Sequence, residues 1–237
     1  MIQTLNLTKK FGQNVALNRL NLKVERGELF GFLGPNAAGK TTTIKLLAGL
    51  LKPTEGSANI SGYDIEKDYI KIRSMLGYIP DVPYLYEKLT AREFLRFVSE
   101  IYKLDENGSR RNIDQFMEFF SLKEYGDSLI EEYSHGMRQK VVIIAALLHD
   151  PQIIIVDEPM VGLDPRTTKL VKDLLKKSSR AGKTIFMSTH TLSLAEEICD
   201  RIGIIDKGNL VAIGTMDELR KKSGVDGRLE EIFLKVT

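Results

Sequence analysis

The chain has 237 residues, enough for one substantial core or a core with one inserted subdomain, and too few for two independent domains of ordinary size. Its 34 Lys and Arg are scattered among 32 Asp and Glu, leaving a formal net charge of +2, a poor balance for a protein built to lie on nucleic acid. No apolar stretch approaches the ~20 residues of a membrane-spanning helix, "MIQTLNLTKKFG" lacks the pattern of a secretory signal, and the single cysteine, Cys199, reads as a small buried hydrophobe of a cytosolic protein.

In chain order, "IQTLNLT", "ALNRLNLKV" and "ELFGFLG" alternate apolar and polar residues between Gly- or Asn-bearing turns and read as strands. "GKTTTIKLLAGLL" changes to helical spacing and stops before "KPTEG". Short strands "SANI" and "MLGYI" then flank a helical stretch through "IEKDYIKIRS". From Asp81 to His149 the pattern is almost all helical, with apolar residues at three- and four-residue steps in "TAREFLRFVSEIYKL" and "RRNIDQFMEFFSL". "QIIIVDEP", "TIFMSTH" and "RIGIIDKG" are short apolar runs of the buried parallel-strand kind, and "PRTTKLVKDLLKKSSRAG" is a helix between two of them. "GRLEEIFLKVT" follows soon after the last of these strands, with no room for an added regulatory domain. The expectation is one α/β domain over residues 1–237, its core at 1–80 and 150–237, interrupted by a helical part at about 81–149.

Three pieces carry chemistry. "GPNAAGKTT", residues 34–42, has the spacing G-x-x-x-x-G-K-T between a strand and a helix, the context a phosphate-binding loop demands. Its backbone N–H groups form an anion nest at a helix N-terminus, Lys40 supplies a point charge, and the Thr41 hydroxyl is placed to ligate Mg²⁺. "AGKT" at residues 181–184 is an internal control: it has Lys177 where the first glycine should be and leads into a strand. The second piece is "IIIVDEP", whose apolar strand ends in two carboxylates on different sides at the carboxyl edge of the sheet. There Asp157 would hold Mg²⁺ and Glu158 would orient and deprotonate a water. His190, after "FMST", reaches the same edge and can donate to a γ-phosphate, whereas His149 at the end of "VVIIAALLHD" reads as a partner of the helix dipole.

With these pieces in this order, the sequence closely resembles the nucleotide-binding subunit of ATP-binding cassette (ABC) transporters over nearly its whole length. The motifs are the loop at residues 34–42, the signature "YSHGMRQ", the strand "IIIVDEP", the "GLDP" loop at residues 162–165, and His190. A GTPase would need a guanine-reading N-K-x-D motif, and none is found. The resemblance implies a P-loop NTPase core with a mixed sheet, an N-terminal antiparallel β-subdomain and an inserted helical subdomain. It implies a Mg-dependent ATPase in which two cassettes stack head to tail, the signature of one facing the γ-phosphate held by the other. Gly34, Pro35, Asn36, Ala37, Ala38, Gly39, Lys40, Thr41 and Thr42 would then cradle the phosphates, and Phe11 with Ala16 would contact adenine. Ser134, Gly136 and Met137 would close on the partner's nucleotide, and Asp164 would lie across the interface.

Two departures from the family pattern bear on chemistry. Ala37 stands where glycine is usual, which costs on the order of 1 kcal/mol if the position requires φ > 0. Asp81 stands where most relatives have a glutamine; it keeps the capacity to ligate Mg²⁺ and loses the amide donor. "YSHGM" in place of "LSGGQ" is associated with subunits whose exporter-type membrane partner is a separate permease. Tyr84, Leu85 and Tyr86, just after Asp81, read either as a groove for a short helix of that partner or as packing inside the helical part. The expected location is the cytoplasmic face of the membrane, held there by the permease, with the second cassette either another copy or a related chain. The rival reading is a soluble cassette ATPase that remodels nucleic acid or ribosomes. The charge balance and the lack of a long coiled coil or second cassette argue against it.

Overall fold

The computed structural model describes residues 2–237. The N-terminal strands β1 (Ile2–Phe11) and β2 (Asn14–Val24) form a hairpin whose register shifts near Asn6 and Arg19, both at positive φ. Next come β3 (Leu29–Leu33) and α1 (Lys40–Leu47), then β4 (Glu55–Ile60) and β5 (Tyr63–Asp64). β3 departs from the sequence reading. It is not an alternating strand: all five residues are buried, and it lies at the centre of the larger sheet. Gly31 made it look half-polar, yet a Cβ there would come within 2.7 Å of Cys199 Sγ, so the glycine marks close packing. The α1 helix is also shorter than its pattern, because Ala48 caps it and Gly49 turns away at φ 67°.

A short helix α2 (Tyr69–Met75) leads into β6 (Leu76–Ile79). Residues 80–89 contain no helix, and Thr90 starts α3 (Ala91–Ile101) with a capping box closed by Glu93. α4 (Glu106–Phe119), two single 3₁₀ turns and α5 (His135–Leu147) complete the helical stretch. The chain then alternates through β7 (Ile153–Asp157), α6 (Pro165–Arg180), β8 (Thr184–Thr189), α7 (Leu192–Ile198) and β9 (Arg201–Asp206). The sequence reading stops at this strand. The structure continues with β10 (Asn209–Gly214), α8 (Met216–Ser223) and α9 (Leu229–Val236).

Two sheets result. The antiparallel one runs β2-β1-β4-β5, and the six-stranded one runs β10-β9-β3-β8-β7-β6, parallel except for the β9–β10 hairpin. β7 and β8 are buried throughout, as strands covered on both faces must be. One apolar cluster joins α3, α4, α5 and α6 to one face of the sheet; a second joins α1 and the antiparallel sheet to the other. A third packs α7, α8 and α9 beside β9. Because β3, β7 and β8 are parallel neighbours, the residues that follow each emerge at one edge, where open α/β sheets bind ligands.

Candidate functional site

A cleft of about 420 Å³ opens at that edge, lined by Asn36, Ala37, Ala38, Gly39, Lys40, Thr41 and Thr42 together with Asp81, Asp157, Glu158 and His190. Ala16, Asn14 and Val161 complete it. The phosphate loop is buttressed from behind: Gly208 N donates to Ala38 O at 2.9 Å. A Cβ on Gly34 would sit 2.3 Å from Ile205 O, and one on Gly39 2.6 Å from Ala16 O. Only glycine fits at these two positions, and Gly39 also needs φ 108° to enter α1. Lys40 Nζ donates to Gly34 O at 2.6 Å and Pro35 O at 3.0 Å, folded onto its own loop. Burial lowers its ammonium below the ordinary range, opposed by the carboxylates of Glu158 and Asp157.

Ala37 takes φ 63°, the left-handed conformation in which a Cβ is costly. Ala37→Gly relieves about 1 kcal/mol of that strain and is expected to raise the melting temperature by about 2–4 °C in a thermal unfolding scan.

Asp157 ends β7, 2 % exposed, and accepts a short hydrogen bond from the Ser188 hydroxyl. Burial raises its carboxyl above the ordinary range, opposed by the hydroxyls of Ser188 and Thr41. The stability such a group lends in acid is lost as pH rises through the raised value, so ionised Asp157 opposes folding at neutral pH. Asp157→Asn is expected to raise the melting temperature of the nucleotide-free protein by a few degrees at neutral pH, by less in acid, while ATP turnover collapses. Melting curves at several pH values check the first part.

Glu158 is not placed by strand alternation, as the sequence reading had it. The strand ends at Asp157, and Glu158 turns out of it at φ 48°. Its Oε2 accepts from Thr189 Oγ1 at 3.2 Å and its Oε1 lies 2.8 Å from His190 Nδ1, so the acid and the histidine form one unit. Thr41, Asp157 and Asp81 offer oxygen donors only, and the described residues hold no group of three or more His, Cys, Asp or Glu fit to hold a metal ion. The all-oxygen donor set suits a hard cation that takes its other ligands from water and phosphates, as Mg²⁺ does.

The remaining sequence candidates lie outside the cleft. Phe11 is half exposed at the end of β1 with Lys9 Nζ 5.2 Å over its ring, so it is no core residue. Ser134 caps α5, accepting from Met137 N at 3.3 Å, and is exposed. The first turn of α5 carries no acidic residue, and its positive end is left to whatever anion approaches. Asp164 caps α6 within its own chain through Thr167 N at 2.9 Å. Tyr84 and Tyr86 are exposed with Val82, Tyr86 edge-on to Phe94 and Phe97, whereas Leu85 packs on the core. His149 does not serve the helix dipole. Burial lowers its imidazolium, and its ring stacks on Tyr102 at 3.8 Å. Sequence reasoning missed Ser188, Asn14 and Val161; only Ser188 had a signal, standing near the end of the apolar strand "TIFMST" two residues before His190, and the structure pairs it with Asp157. A larger cleft, about 690 Å³, lies between α3 and α4, but its four cations face four carboxylates and offer a phosphate no net charge.

A family model described as "ABC transporter" matches residues 17–161. The linearmycin resistance ATP-binding protein LnrL of Bacillus subtilis is 36% identical over 226 residues, covering 95% of this chain and 73% of that protein. A structure titled as the ATP-binding subunit of an ABC transporter superposes with a TM-score of 0.95 at 34% identity, covering 100% of this chain and 99% of the other. The post-hydrolysis dimer of the ATP-binding cassette MJ0796 with ADP and Pi superposes at 0.84 and 28% identity, over 91% and 99% of the two chains.

Proposed function

The chain belongs to the ABC transporter family as its ATP-binding, ATP-hydrolysing subunit, and from that premise we propose how its own residues divide the work. The carrying observation is the split between the cleft, which gathers the phosphate loop with Asp157, Glu158 and His190, and the signature at Ser134 and Gly136, which lies outside it. A nucleotide held in the cleft of one protomer meets the signature only if a second cassette supplies it. The loop amides and Lys40 hold the β- and γ-phosphates, Phe11 and Ala16 receive the adenine, and Ser134, Gly136 and Met137 close from the partner. Thr41, Asp157 and Asp81 would hold a Mg²⁺, which when bound would offset phosphate charge. Glu158 takes the proton of the attacking water. His190, fixed by Glu158 through one ring nitrogen, leaves the other for the γ-phosphate.

Among the described residues no helix is long and apolar enough to cross a membrane. In this reading the driven step is assigned to a separate permease. Val82, Tyr84 and Tyr86 are its docking patch, which holds the subunit at the cytoplasmic face of the membrane. The name of the linearmycin-resistance relative supports export as the direction of transport. The purified chain is tested as a homodimer. Its specific ATPase rate is expected to climb with protein concentration, with a Hill coefficient for ATP approaching two. A rate per protomer independent of concentration, in a chain that stays monomeric, would assign the second cassette to a different polypeptide.

A further inference from the structure

Near the signature, α5 lies close against the turn that leaves β7. A Cβ on Gly136 would sit 2.9 Å from Gly162 O, and one on Gly162 would sit 2.1 Å from His135 Cδ2 and 2.8 Å from its Nε2. The imidazole of His135 therefore fills the space a side chain at residue 162 would need. Gly162 holds φ 76°, and the turn around it is short and closed: Val161 N donates to Glu158 O at 3.3 Å and Leu163 N to Met160 O at 3.2 Å. Val161 and Glu158 both line the nucleotide cleft. One turn further along the same face of α5, Gln139 is fully buried, yet neither its amide nitrogen nor its amide oxygen has a partner. Unpaired buried amides are rare in native structures because each carries a desolvation cost, and they point to an element with a second arrangement in which they pair.

We propose that His135 is a positioning residue. Seated on Gly162, it ties the signature end of α5 to the turn that carries Glu158 in the same protomer, and Gln139, one helical turn along, is the buried amide that gains a partner when α5 shifts with that turn for hydrolysis. The inference rests on the two-cassette reading above. In that reading, each signature faces the partner's nucleotide while its own turn serves the other site, so the His135–Gly162 contact links the two sites inside one chain.

The test is a mutant cycle read by ATP turnover. His135→Ala and Gly162→Ala, the second of which pushes the ring off its seat, are each expected to lower kcat about ten-fold with KM for ATP held within about two-fold. The double variant falls no further than the slower single one, because both remove the same contact. Gln139→Leu is expected to raise the melting temperature by removing the unpaired amide and yet to lower kcat, a pairing that a merely structural role would not give. Multiplicative losses in the double variant, or an unchanged kcat in His135→Ala, would overturn the proposal. Melting curves of each variant separate misfolding from either result. Dimer formation in a Glu158→Gln background distinguishes the two levels of inference. If Glu158→Gln alone fails to dimerise with Mg·ATP, the two-cassette reading falls for two copies of this chain. If it dimerises but His135→Ala with Glu158→Gln does not, His135 is an interface contact and the positioning role falls.

Discussion

Glu158→Gln is expected to slow ATP turnover about a hundred- to a thousand-fold and to leave a stable dimer in the presence of Mg·ATP. The substitution keeps the volume of the side chain and its capacity to accept from Thr189 and to bond His190, so the shape of the cleft is retained. What disappears is the base. Glu158 lines the cleft with its side chain 14% exposed, and two partners orient its carboxylate. The amide cannot take a proton from water, and the γ-phosphate stays where it bridges the two protomers. Gel filtration with light scattering checks this: dimer with Mg·ATP, monomer without. Wild type should fall back to monomer as ATP is consumed. A Glu158→Gln chain that elutes as monomer under both conditions, while binding ATP, would sink the assignment of the base together with the shared nucleotide for the isolated chain.

Much of the site was legible because its residues are punctuated by constraints the backbone imposes. The glycines of residues 34–42 sit where a Cβ meets a carbonyl oxygen within 2.6 Å or less, so spacing alone betrayed the loop. Asp157 was legible because four buried apolar residues precede it in β7 and nothing polar intervenes. Glu158 was found for an incomplete reason: alternation cannot predict a left-handed residue, and φ 48° is what turns its carboxylate toward His190. The C-terminal elements were missed although their signals were present. Lys207 and Gly208, both at positive φ, make the two-residue turn of the β9–β10 hairpin, and Thr215 with Glu218 forms a capping box. β10 is an edge strand with only Gly214 fully buried, so its apolar pattern was too weak to announce it. The contact between His135 and Gly162 was illegible in principle, since 27 positions separate them and no periodicity relates them.

The second large effect is a recovery of activity from two inactive chains. Lys40→Ala removes the only buried ammonium in the phosphate cleft and should abolish measurable ATP binding and hydrolysis. Gly136→Glu should be equally inactive for another reason. It puts a carboxylate at the positive end of α5, where the first turn has no acidic residue, and its Cβ would crowd Gly162 O at 2.9 Å. Its own phosphate loop is intact, so it still binds ATP, while the crowding at Gly162 reaches the turn that carries its own Glu158 and makes the recovery expected from random pairing an upper bound. If each nucleotide lies between one chain's loop and the other's signature, a mixed dimer has one site with both halves broken and one with both halves whole. Random pairing then gives about a quarter of wild-type turnover from an equal mixture, provided that one complete site suffices. A mixture as inactive as its components leaves two explanations, which dimerisation of the same pair in a Glu158→Gln background separates. A mixed dimer that forms but does not turn over shows that both sites must fire together. No ATP-dependent dimer at all would mean that Gly136 does not face the partner's phosphate, and the role of the signature would have to be sought within its own chain.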